Sequence, residues 1–120
     1  MTRLYRKYRE GNDWKLGTAP AKSLEGKITK CEVRGAQRIN DSFHPPSLHF
    51  EIDSLKDTPL KISGTSFRLD VGERVRLHSY DGFDRPYCEI EGLEILDHSG
   101  NTKFRYLNGP SEGFYVVFES

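Results

Sequence analysis

From Leu24 onward, apolar side chains recur at every second position in short runs separated by turn-forming clusters, the period of half-buried strands. The run "LEGKITKCEVRGAQRI" (24–39) is long enough for one bent strand, with Gly26 and Gly35 as points for a bulge or sharp curvature. After the turn cluster "NDSFHPP", "SLHFEIDSL" alternates Leu48, Phe50 and Ile52 against His49, Glu51 and Asp53. "LKISG" directs Leu60 and Ile62 inward, and the connector "TSFRLDVGE" alternates Phe67, Leu69 and Val71. "RVRLHSY" places Val75 and Leu77 inside and Arg74, Arg76, His78 and Tyr80 outside. In "YCEIEGLEIL" the apolar phase shifts after Ile90, which predicts a bulge at Gly92. "TKFRYL" and "GFYVVFES" supply two more strands. The pattern predicts an all-β domain with Leu48, Phe50, Ile52, Leu60, Ile62, Val75, Leu77 and Ile90 in its core.

The two ends read differently. "LYRKYRE" has the spacing of a short helix, with Leu4, Tyr5 and Tyr8 on one side and Gly11-Asn12-Asp13 to stop it. So short a helix orders only by docking, and Trp14 and Leu16 are the expected anchors. Residues 1–23 therefore form a basic N-terminal arm and residues 24–120 the body with a C-terminal strand extension. Phe114, Tyr115, Val116, Val117 and Phe118 are apolar on both faces of that last strand. The strand should dock on the body, its outer face covered by the arm or by a second protomer.

Composition fits one polar domain: 120 residues, 35% hydrophobic and 30% charged. No apolar run approaches the roughly 20 residues of a membrane span, and a cytoplasmic setting is expected. Cys31 and Cys88 lie far apart without CxxC spacing and are read as reduced thiols. The histidines show no paired ligand spacing, so no metal and no cofactor are expected. The formal charge of zero conceals an asymmetry. Residues 1–38 carry ten basic side chains and four acidic ones. Either a basic edge meets an anionic partner, or this segment folds against the acidic remainder of the same or a second chain.

A long glycine-bent strand, two alternating strands, a connector, "LDVGERVRL" and a fifth strand together resemble the oligonucleotide/oligosaccharide-binding (OB) fold over roughly residues 24–97. The resemblance implies a small barrel of five to seven strands. It differs in the connector "SGTSFRLDVGE", which is too short for the helix many OB-folds place there. The family binds ligands between the loops joining strands one to two and four to five, here Asn40–Pro46 and Asp81–Pro86. Phe43, His44, Tyr80, Phe83, Arg85 and Tyr87 would then offer rings and contacts, with Lys30, Arg34, Arg38, Arg74 and Arg76 as cations for phosphates. The competing reading makes Phe43, Phe83 and Tyr87 plugs for the barrel ends. Glu51, Asp53, Asp81 and Asp84 oppose phosphate binding.

Catalysis is not expected. Glu89, Glu91 and Glu94 read as a solvated sheet face, and no nucleophile elbow or phosphate-cradling loop occurs. Two classes remain: a non-catalytic module for single-stranded nucleic acid, or a protein-interaction or homodimer module using the arm and last strand. Membrane attachment is not expected.

Overall fold

The computed structural model describes residues 2–65, 67–108 and 114–119, with the side chains of Phe114 and Tyr115 outside that description. The chain is all-β among those residues, with eleven strands. They are β1 (Arg3–Glu10), β2 (Asp13–Leu16), β3 (Lys22–Arg34), β4 (Gln37–Ile39), β5 (Ser42–His44), β6 (Ser47–Ile52), β7 (Leu60–Ser63), β8 (Arg74–Ser79), β9 (Gly92–Leu96), β10 (Thr102–Leu107) and β11 (Phe114–Glu119). A six-stranded sheet runs in the order β10-β9-β8-β3-β6-β7. A three-stranded sheet, β11-β1-β2, and the two-stranded hairpin β4-β5 complete the fold.

The long strand β3 organises the main sheet by changing partners. Its first half, Lys22–Lys27, pairs with β8, and its second half pairs with β6. Gly26 sits just before the changeover, where a Cβ would lie 2.7 Å from Ser54 Oγ and 2.9 Å from Asp53 Oδ1. The glycine permits that approach, and a register shift follows between Ile28 and Lys30. All eight residues expected in the core are buried, joined by Ile28, Leu69, Cys88 and Leu93. Both cysteines are free thiols. Val71 departs from its expected alternation and is exposed, because the connector turns at Val71-Gly72 to enter β8. Among the described residues the ladder does not close into a barrel; one parallel bridge, Lys61 to Glu89, joins β7 to the segment before β9.

The N-terminal segment forms a hairpin, not a helix. Leu4 and Tyr8 share a face under either period, so apolar spacing alone does not separate the two. Tertiary pairing decides: β1 lies antiparallel to β11, from Arg3 opposite Glu119 to Tyr8 opposite Phe114. Gly11, at φ 63°, turns the chain into β2. The docking anchor is Leu4, fully buried with Ala21 and Val116, whereas Trp14 and Leu16 remain exposed. The last strand thus gains the arm as a sheet partner beside it rather than as a layer over it.

The small sheet covers the face of β8 and β9 that the alternation had assigned to solvent. Arg76, His78, Glu91 and Glu94 are consequently buried. Gly92 lies in β9 without a bulge; its missing Cβ would stand 3.1 Å from Phe118 and 3.3 Å from Leu4. The close approach of the small sheet explains the glycine. Phe118 packs edge-on against the His78 ring at 5.2 Å. Arg6 pairs with Glu91 at 3.3 Å and lies 4.1 Å from the centre of the Tyr80 ring. The Tyr80 hydroxyl accepts the Arg6 N–H and donates to the Leu4 carbonyl.

Glu94 is the hub of the enclosed polar cluster. Its Oε1 accepts from His78 Nε2 at 2.8 Å and from Arg76 at 3.3 Å, and its Oε2 accepts from Thr102 Oγ1 at 2.6 Å. Arg105 stands 3.6 Å from Oε2. A carboxylate only accepts, so His78 carries its proton on Nε2 and Nδ1 accepts the Ser23 hydroxyl at 2.8 Å. Burial pushes the His78 pKa down, outweighing the pull of Glu94. Burial also works to raise Glu94, but the bonds from Thr102 and His78 and the Arg76 charge hold it below its usual value. Burial pushes Glu91 up against the pull of the Tyr80 N–H and Arg6.

The sign of the pH dependence follows. His78 binds its proton less readily folded than unfolded, so its contribution is whole above about pH 6.5 and is lost as pH falls toward the lowered folded value. Glu94 acts in the same sense below about pH 4.5, while Glu91 acts oppositely, gaining stability as pH falls through its raised value. Urea midpoints taken between pH 7.5 and 5.5 should therefore fall more steeply for the wild type than for His78→Phe. Equal slopes would remove His78 from the account.

Candidate functional site

The opposite, outward face of β3, β6 and β7 has no covering layer among the described residues. Register places side chains there in cross-strand rows: Lys30 beside Glu51, Glu32 beside His49 and Lys61, and Arg34 beside Ser47 and Ser63. Two adjoining cavities mark this face. The first, of about 310 Å³, is lined by Lys30, Glu32, Arg34, His49, Glu51 and Tyr87, with Cys31, Phe50 and Pro59. The second, of about 260 Å³, is lined by Arg34, Gln37, Ile39, His44, His49 and Lys61 among others.

Two loop features rim the cavities. The β4-β5 hairpin turns through Asn40 and Asp41, with φ of 49° and 64°. Two consecutive left-handed residues fit a type I′ turn, and Asn and Asp tolerate that conformation best among residues with a side chain. The hairpin sets Phe43 directly across from Arg38 and leaves the ring 62% exposed. On the other side Tyr87 is 57% exposed, and its backbone also adopts a left-handed φ of 55°. A bulky residue is uncommon there and costs about 1–2 kcal/mol, a form of strain that collects at functional sites. The Tyr87 N–H donates to the Pro59 carbonyl at 2.8 Å, which fixes the ring at the cavity rim.

His49 stands between the two cavities. Its Nε2 lies 2.9 Å from Ser47 Oγ, and its ring meets Tyr87 edge-on at 6.3 Å. Burial pushes its pKa down, and the charges of Arg34 and Lys61 push it further, so the ring is neutral at neutral pH. Lys30 pairs with Glu51 at 3.6 Å and Arg34 with Glu32 at 3.4 Å.

The expected site residues divide into two groups. Lys30, Arg34, His44 and Tyr87 line the two cavities, whereas Arg38 and Phe43, on the opposite phase of the β4-β5 hairpin from His44, do not. Arg76 does not: it is buried and held by Glu25 at 3.0 Å and by Glu94. Arg74 belongs to β8, outside both cavities, and Tyr80 is spent holding β1. Phe83 packs against the main core, the plug reading of that ring. Arg85 stays exposed at 3.8 Å from Asp81. The three rings around the 81–86 loop thus have three jobs: Tyr80 clamps, Phe83 plugs and Tyr87 faces outward. The sequence reading missed His49 and Lys61, although both fall on the outward phase of strands whose inward residues it identified.

No protein-family model, curated protein or solved structure matches this chain. Among the described residues no helix is long and apolar enough to cross a membrane.

Proposed function

We propose that this chain is a non-catalytic module that binds single-stranded nucleic acid on the outward face of β3, β6 and β7. The observation that carries this reading is the Tyr87 ring, held by a strained backbone at the rim of a cavity that Lys30 and Arg34 also line. Bases stack on such rings while cations follow the phosphates, at about 1–3 kcal/mol per stacked base. We read the strand order, with its single parallel bridge from β7 to the segment before β9, as a partly open OB-type barrel. In that reading the β4-β5 hairpin and the 81–86 loop take the family's ligand-gripping positions. The Ser23–His78–Glu94 series has the composition of a proton relay, but His78 and Glu94 are sealed and the carboxylate is tied to Arg76, so its role is structural.

A protein-interaction role is favoured by one observation, the exposed Trp14 and Leu16 side by side on the edge strand β2. Salt separates the readings. Fluorescence anisotropy with a labelled oligothymidylate should show binding at low salt that weakens steeply as salt rises, since phosphate contacts release counterions. Arg34→Ala should flatten that slope. Absence of binding at low salt, with the protein folded, moves the function to β2.

A further inference from the structure

The first cavity contains a pair that phosphate binding does not explain. Glu51 lies on the face where a polyanion would run, and its side chain is only 24% exposed. Lys30 sits beside it, but at 3.6 Å that contact is an ion pair and too long for a hydrogen bond. Neither Glu51 oxygen accepts a hydrogen bond among the described residues, and both keep access to the cavity, where a ligand's donors could reach them. The cavity itself is open and rimmed by Tyr87 and His49.

We propose that Glu51 and Lys30 read the Watson–Crick edge of one guanine, which rests on Tyr87 in this cavity. This inference rests on the nucleic-acid reading above. Guanine presents one acceptor, O6, followed by two donors, N1–H and the N2 amine. The pair in the cavity presents the complement: an ammonium donor, then two carboxylate oxygens. No other base satisfies both oxygens at once. Adenine and cytosine offer one amine beside a ring acceptor, and thymine offers one N–H between two carbonyls that the carboxylate repels. At about 310 Å³ the cavity is at the small end of ligand sites, fit for one splayed base rather than a stacked run. Single-stranded recognition commonly takes this form, with the base stacked on a ring and its edge hydrogen-bonded. The carboxylate that opposes phosphate binding thus becomes the element that selects a base.

The test compares an oligothymidylate with the same strand carrying one central guanine, adenine, cytosine or hypoxanthine, by fluorescence anisotropy at one salt concentration. A single guanine avoids four-stranded assembly. The guanine strand should bind about tenfold tighter than the others, as expected of one good bidentate contact. Hypoxanthine keeps N1–H but lacks the amine, and it should lose most of that gain. Glu51→Gln should abolish the guanine preference, because its amide nitrogen meets guanine's donors with another donor, and should leave oligothymidylate binding no weaker, because it removes a charge that opposes the phosphates. If Glu51→Gln does not fold, the hypoxanthine strand decides the matter on the wild-type protein. Equal affinity for all five strands overturns guanine reading and leaves the nucleic-acid function standing. No binding to any strand at low salt overturns both.

Discussion

Replacing Glu94 by Ala should lower the stability of the fold by about 3–5 kcal/mol, a large part of the total for a small domain. The carboxylate is completely buried and joins β9 to three neighbours: His78 and Arg76 on β8, and Thr102 on β10. Truncation leaves the Arg76 guanidinium buried with Glu25 as its remaining carboxylate, and that partner is half exposed. It also strips His78, whose ring packs against Phe118, of its acceptor. Buried charges left without their counter-ion account for most of such penalties. Urea unfolding with an unchanged m-value measures the effect. Glu89→Ala, on the neighbouring exposed position, should stay within about 0.5 kcal/mol. A Glu94→Ala loss no larger than the Glu89 one would show the cluster to be dispensable.

Tyr87→Gly should separate binding from stability. The left-handed backbone at φ 55° costs a side chain about 1–2 kcal/mol that glycine avoids. Against that stands about 0.5–1 kcal/mol for the greater freedom of glycine in the unfolded chain. Stability should therefore stay level or rise slightly, since the N–H to the Pro59 carbonyl remains. Affinity for single-stranded nucleic acid should fall by about 1–3 kcal/mol with the loss of the stacking ring, roughly five- to 150-fold. Tyr87→Ala should lose the same affinity while keeping the strain. If Tyr87→Gly unfolds the protein, the ring is a packing element and the site assignment is wrong.

The core and most of the strands were legible because alternation reports which face of a strand meets apolar neighbours. It does not report what lies over the other face. Glu91 and Glu94 read as solvated since their cover, β1 with β11, comes from opposite regions of the sequence, and nothing local announces that pairing. The same blindness made Arg76 a phosphate ligand on paper and a buried counter-ion in the fold. Phe43 and Tyr87 were singled out by residue type in turn-rich segments, and geometry then distinguished them from Phe83. His49 was passed over because an isolated imidazole on a polar face carries no signal until Tyr87 is set beside it.

The pairing of β1 with β11 also fixes an order of assembly. Leu4 faces Phe118 across a separation of more than a hundred residues, so the register cannot form until residues 114–119 have been made. The main sheet, from β3 to β10, is complete in sequence before that. During synthesis at about 5–20 residues per second, β1 waits for seconds with only its hairpin partner β2 beside it, while the surface it will cover stands open to water. Pairings of such long range are also the slow ones, because the loop must close before any contact compensates for it. Until β11 is made the patch around Glu94 stays open, and β1 and β11 then seal it together.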